Sequence, residues 1–166
     1  MNSATEPAAG RGALAIAPAQ GTTDIETVRA LFREYQAHLG VDLCFQSFEQ
    51  ELAALPGDYA PPAGRLLLAR WDGAVAGCIA MRSLGEGNCE MKRLFVRPAF
   101  HGKRIGWELA QRIVAEARDA GYQRMRLDTL PQMQKAQQLY EALGFRDIAP
   151  YRANPISGAR YMEKAL

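Results

Sequence analysis

Hydrophobic and polar positions follow two rhythms along the chain, and their order predicts an alternation of strands and helices. Leu14–Pro18 reads as a first strand that ends at a proline. Thr22 or Thr23 then offers an N-cap, with Glu26 placed for a capping box. Ile25, Val28, Leu31, Phe32 and Tyr35 recur at helical spacing until Gly40 closes the helix. A short helix over Phe48–Leu55 stops before Pro56-Gly57, and Asp58–Gly64, with Pro61-Pro62, is a loop. Arg65–Trp71 and Ala74–Arg82 flank Asp72-Gly73, a two-residue hairpin signal. Gly85–Gly87 turns the chain into Asn88–Arg97, the third strand of an antiparallel meander. The helix Ile105–Ala120 buries Leu109, Ile113, Val114 and Ala117 and is closed by Gly121. Arg124–Thr129 alternates as a strand, and the strand–helix–strand unit makes its two strands parallel neighbours. Pro131 stands near the start of a last helix, with Ala136, Leu139, Tyr140 and Leu143 on one face and Gly144 at its end. Phe145–Ile148 and Arg160–Leu166 complete the strands around a loop, Ala149–Ala159.

Composition narrows the class of protein. The 166 residues, 48% hydrophobic and 23% charged, suit one soluble domain. Residues 1–12, rich in Ala and Gly but carrying Glu6 and Pro7, read as a disordered leader rather than a signal peptide. Residues 13–166 then form a single domain, expected in the cytoplasm. No apolar run reaches the roughly 18–20 residues that span a bilayer. Three cysteines (Cys44, Cys78, Cys89) and two histidines show no metal-ligand spacing, so no metal is expected. A net charge of +2 argues against a nucleic-acid partner. Locally, however, Lys92, Arg93, Arg97, Lys103 and Arg104 cluster, which fits a small polyanion.

That cluster lies in Glu90–Leu109, reading EMKRLFVRPAFHGKRIGWEL. A strand passes through Arg97-Pro98 into a basic, glycine-containing loop and then enters a helix at Ile105. A loop with free backbone N–H groups ahead of a helix N-terminus makes a socket for phosphate.

Two motifs in this order resemble the GNAT superfamily of acetyl-CoA-dependent N-acetyltransferases. Leu94-Phe95-Val96-Arg97-Pro98 matches the family's strand end, and His101–Gly106 (HGKRIG) occupies the place of its Q/R-x-x-G-x-G/A loop. Gly102, Ile105 and Gly106 are as the family has them; His101 replaces the usual Gln or Arg, and Arg104 the usual first glycine. Ala136-Gln137-Gln138-Leu139-Tyr140-Glu141-Ala142-Leu143-Gly144-Phe145 resembles the second signature, A-x-x-L/F-Y-x-x-x-G-F, although Met133 stands where an Asn is common. The resemblance covers about Ala74–Ile148. It implies an α+β (α/β) fold: a mixed, mostly antiparallel sheet of about six to seven strands with about four helices and a central splayed parallel pair.

The resemblance also implies roles. His101, Gly102, Lys103, Arg104, Ile105 and Gly106 would hold the pyrophosphate of acetyl-CoA, and Leu94, Phe95 and Val96 would offer backbone groups to its pantetheine arm and thioester. A non-glycine at Arg104 suits this loop if its φ stays below zero, and its guanidinium then flanks the phosphates. Tyr140 matches the tyrosine that serves the departing thiolate, or else packs as a core aromatic. An alkyl amine of pKa ~10.4 needs help to lose its proton. Glu90 occupies the place of the family's carboxylate base, or else is a strand-edge glutamate paired with Lys92 or Arg93.

Cys78 or Cys89 as an acetyl carrier is the alternative to direct transfer, but neither has a histidine beside it in sequence. Tyr35, Phe45 and Tyr59 are candidates to wall an acceptor pocket, and Arg93, Arg152 or Arg160 to grip a substrate carboxylate. The expected partner is a small amine; a protein amine, a catalytically silent CoA-binding module and a homodimer stay open. A nucleotide hydrolase is disfavoured because the loop lacks G-x-x-x-x-G-K-[ST].

Overall fold

In a computed structural model, residues 12–41, 43 and 47–166 are described. The leader expected over residues 1–12 therefore falls outside the described residues except for Gly12, as do Cys44 and Phe45. Seven strands form one sheet: β1 (Leu14–Pro18), β2 (Arg65–Trp71), β3 (Ala74–Gly85), β4 (Asn88–Val96), β5 (Arg124–Thr129), β6 (Arg146–Ile148) and β7 (Arg160–Ala165). Their order is β1-β2-β3-β4-β5-β7-β6. Only β4 and β5 pair in parallel; the other neighbours are antiparallel. Four α-helices, α1 (Gly21–Leu39), α2 (Phe48–Ala54), α3 (Ile105–Asp119) and α4 (Gln134–Ala142), cover its faces. The mixed sheet, the helices and the central parallel pair are as the sequence predicts.

Strand periodicity sorts the core into two layers. Leu67, Ala69, Ile79, Met81, Cys89 and Met91 face α3, whose stripe of Leu109, Ala110, Ile113 and Val114 is buried against them. Leu66, Leu68, Cys78 and Ala80 face the other way, onto Val28, Leu31 and Phe32 of α1 and Phe48 and Leu52 of α2. Each fully buried Leu of this kind stabilises by about 1.5–3 kcal/mol.

The boundaries differ from expectation by more than one residue in three places. Helix α1 starts before Thr22 and Thr23, with Gln20 as N-cap; the Gln20 N–H donates to Asp24 Oδ2 at 2.9 Å, a role expected of Glu26. Strand β3 runs on to Gly85 because its antiparallel register with β4 continues to Gly85↔Asn88. Pro131 lies in a turn, and α4 begins only after Met133, whose carbonyl accepts the Gln137 N–H at 3.0 Å.

Two features of β4 position the site. The β4–β5 pairing covers only Asn88↔Arg124, Cys89↔Met125 and Glu90↔Arg126, after which the strands part. On the β3 side the register shifts between Cys78↔Phe95 and Ala80↔Lys92, so β4 carries a bulge at Arg93-Leu94.

Candidate active site

Arg93 makes the bulge by adopting φ +61°, the left-handed region that costs a side-chain-bearing residue about 1–2 kcal/mol. A clamp holds it there. Its Nε and Nη2 donate to both oxygens of Glu51 on α2 at 2.9 and 3.1 Å, and Tyr59 Oη donates to the same carboxylate at 2.9 Å. The guanidinium also lies over the rings of Phe48 (5.3 Å) and Tyr35 (5.7 Å). Just past the bulge, where Gly77 pairs with Val96, a Cβ on Gly77 would stand 2.4 Å from the Phe95 carbonyl oxygen, so only glycine fits there. One turn of chain further on, Arg97 grips Glu34 of α1 at 2.9 and 3.1 Å. Two guanidiniums thus tie the α1–α2 layer to the strand end.

Beyond the bulge a groove of about 770 Å³ opens, within the usual range for a small-molecule site. Leu94, Phe95 and Val96 form one wall; His101, Gly102, Arg104, Ile105 and Gly106 form its end; Met133, Ala136 and Leu139 form the other wall. The end is the N-terminus of α3, where first-turn N–H groups lack helical acceptors and the dipole favours an anion. Gly106 leaves room there: a Cβ would meet only Leu139 Cδ1 at 3.7 Å and Val96 Cγ2 at 3.8 Å, ordinary contacts. No close contact demands glycine at this position.

Three loop residues behave differently from expectation. Arg104 does not keep φ below zero. As the N-cap of α3 it takes φ +61°, the conformation the usual glycine would take freely, with its guanidinium 5.8 Å from the Trp107 ring. His101 Nε2 lies 2.9 Å from the Val96 carbonyl oxygen and so, as the donor, pins the loop back onto the strand. Lys103 does not line the groove; its ammonium sits 4.9 Å from the Trp71 ring.

Where β4 and β5 part, the groove meets a second, water-sized cavity of about 30 Å³. The two share Tyr35, Leu39, Leu94 and Met133, and the smaller adds Lys92, Arg93, Asp128 and Tyr140. Tyr140 is 5% exposed and packs edge-on against Phe145 at 5.9 Å. Burial, with Tyr35 and Asp128 nearby, pushes its phenol above the usual tyrosine range, so it keeps its proton. Burial, with Arg93 and Arg82 nearby, pushes the Lys92 ammonium down to about 7. Asp128, on the β5 side, accepts from Asn154 Nδ2 at 3.4 Å.

Glu90 is fully buried and acts as an ion-pair anchor. It accepts from Arg82 Nε at 2.9 Å, from Tyr151 Oη at 2.6 Å and from Arg152, and Lys92 Nζ stands 3.7 Å away. Its partner is therefore Lys92 rather than Arg93, joined by Arg82 and by Arg152, which the sequence offered only as a grip for a substrate carboxylate. Both carboxylate oxygens are taken up by these partners, and Glu90 is not among the residues lining either cavity.

The remaining candidates divide plainly. Tyr35 lines both cavities, whereas Tyr59 is a buried partner of Glu51. Arg160 is taken up by Asp147 and Glu141 at 2.8 and 2.9 Å. Cys78 and Cys89 are fully buried. Burial pushes the Cys78 thiol up strongly and the Cys89 thiol up to about 12, so both stay protonated and unreactive. Sequence reasoning missed Asp128 and Glu51; the polar phase of the alternating run RMRLDT is the only signal for Asp128. Among the described residues no His, Cys, Asp and Glu side chains group to hold a metal ion, and no helix is long and apolar enough to cross a membrane.

Comparison with known proteins agrees with this geometry. The sequence model of the acetyltransferase (GNAT) family matches residues 25–145. An uncharacterized N-acetyltransferase of Schizosaccharomyces pombe is 40% identical over 141 residues, covering 84% of this chain and 86% of the relative. Among solved structures, an acetyltransferase from Streptococcus agalactiae superposes with a TM-score of 0.76 at 22% identity, over 92% of this chain and 98% of that one. The PaiA N-acetyltransferase of Thermoplasma acidophilum, in complex with coenzyme A, superposes with a TM-score of 0.69 at 19% identity, over 93% and 99%.

Proposed function

The chain belongs to the GNAT acetyltransferase family, and on that premise we propose that it moves an acetyl group from acetyl-CoA directly to the primary amine of a small, amino-acid-like molecule. As a member of that family it is an acetyl-CoA-dependent acyltransferase. The reading of the site rests above all on the parting of β4 and β5 after Glu90 and Arg126. It leaves the backbone of Met91–Val96 without a strand on that side among the described residues, between a helix N-terminus and a buried phenol.

Acetyl-CoA supplies the acetyl group as a thioester. The N–H groups of the loop from Gly102 to Gly106 and the first turn of α3 receive its phosphates, with the Arg104 guanidinium beside them. The exposed edge of Leu94–Val96 pairs with the amide arm as a further strand would. Backbone N–H groups at the bulge face the carbonyl oxygen as negative charge gathers there, and the Glu51–Arg93 clamp keeps them aimed. In the transfer the amine nitrogen bonds to the carbonyl carbon and the carbon–sulfur bond breaks. The amine's proton passes to Asp128 through the water-sized cavity, and Tyr140, keeping its own proton, donates a hydrogen bond to the departing thiolate. Since burial keeps Cys78 and Cys89 as thiols, direct transfer is favoured over an acetyl-cysteine.

The test is thiol release from acetyl-CoA with a panel of simple amines, amino acids and lysine-bearing peptides. Release with free amino acids or small amines is the expected result. Release only with peptides would move the acceptor to a protein. Acetyl-CoA binding with no release toward any amine would make the chain a silent CoA-binding module.

A further inference from the structure

One row of side chains crosses four strands on the sheet face that α1 and α2 only partly cover. The register Arg82↔Glu90↔Arg126↔Glu163 sets charges of alternating sign side by side across β3, β4, β5 and β7. Arg82 donates to Glu90 at 2.9 Å and Arg126 to Glu163 at 2.7 Å, so the row is neutral within itself. Further along, beyond the last paired residues, Lys92 on β4 and Asp128 on β5 both line the cavity with Tyr140.

Onto this balanced surface the β6–β7 connection lays one more cation. Arg152 donates to Glu90, which already serves Arg82, and lies 5.0 Å from the Tyr151 ring. Its side chain is only 20% exposed, against 30% for Arg82. The other acid near this pair, Asp58, is 4.0 Å from Arg82 but 83% exposed, where water screens it. Two half-buried guanidiniums therefore share one buried carboxylate, and each keeps N–H groups that Glu90 does not use. Burial and the facing Arg82 both depress the Arg152 pKa. The same connection reaches the reaction cavity two residues later, where Asn154 donates to Asp128.

We propose that Arg152 and Arg82 form the carboxylate-binding subsite of the acceptor, which is an amino acid carrying its amine at the Tyr140–Asp128 cavity. The proposal rests on the acetyltransferase reading above and adds the substrate class. Glu90 and the cavity-lining Lys92 are two strand residues apart, roughly 7 Å. This spacing suits a side-chain or terminal carboxylate several bonds from the reacting nitrogen better than the α-carboxylate next to it. Dicarboxylic and ω-amino acids belong to this class; monoamines and polyamines do not.

The experiment compares kcat/KM within matched pairs, 4-aminobutyrate against butylamine and glutamate against glutamine, in the wild type and in Arg152→Gln. A charge-assisted carboxylate contact is worth a ten- to hundredfold preference for the acid. The expected result is such a preference in the wild type that falls to within about threefold in Arg152→Gln and is partly kept in Arg152→Lys. The ratio is the readout, because a general loss of activity or fold cancels in it. Turnover without a preference for the acid, or a preference that survives in both Arg152→Gln and Arg82→Gln, would overturn the subsite. Bound acetyl-CoA with no turnover of any of the four would overturn the parent reading, and this one with it.

Discussion

Glu51→Ala is expected to lower the free energy of unfolding by about 3–5 kcal/mol, because it strands a buried charge. Arg93 is 3% exposed at its side chain and Glu51 16%, so water cannot take over the lost partner. The Arg93 guanidinium would keep only the rings of Phe48 and Tyr35, and Tyr59 would lose its acceptor. The damage also reaches the chemistry, since the released bulge no longer has a reason to hold φ +61°. Urea denaturation of the wild type, Glu51→Ala and Glu51→Gln measures it. Glu51→Gln should fall between the two, since its amide oxygen still accepts one guanidinium bond. A loss below about 1 kcal/mol in Glu51→Ala would mean that the clamp is no more than a surface pair.

Tyr140→Phe is expected to reduce kcat by about a hundredfold or more while leaving acetyl-CoA affinity within about twofold, the pattern of a group that acts mainly in the transition state. The hydroxyl adds little to the fold, since the ring keeps its packing on Phe145. It matters for the sulfur: beside the buried Tyr140 a thiolate leaving without a donor would be a poorly solvated anion. The direction of the pKa shift adds a pH signature. Because burial raises the phenol above its ordinary value, Tyr140 stays protonated through the neutral and mildly alkaline range, and no loss of kcat should track its ionisation there. Steady-state kinetics together with calorimetric binding of acetyl-CoA decide the point. An unchanged kcat would return Tyr140 to the status of a core aromatic.

What the sequence made legible was mostly local. The strands Leu14–Pro18, Arg65–Trp71 and Arg124–Thr129, the Asp72-Gly73 hairpin and the glycine-containing loop before Ile105 all follow from short-range periodicity and turn chemistry. The loop and the 136–145 run supplied most of the candidate site residues, because backbone and helix geometry set nearby places them along the groove. The β4 bulge was not legible. Lys92 and Arg93 are both polar, so a one-residue slip leaves no trace in the alternation, and its cause lies on Glu51 in another element. Glu90 shows a similar limit: its burial depends on Arg82, Tyr151 and Arg152 converging from β3 and a distant loop. Arg104 failed in a third way, because local rules favour φ below zero for arginine while the entry to α3 imposes +61°.

The central claim is that the groove along Leu94–Val96 presents acetyl-CoA to an amine for direct transfer. A single-turnover experiment with acetyl-CoA labelled in its acetyl group, quenched with and without 4-aminobutyrate or glutamate, tests it most directly. The account predicts that without an amine the label stays on CoA, and that with one it passes to the amine with none on the protein at any time. Label appearing on the protein before it reaches the amine would contradict it.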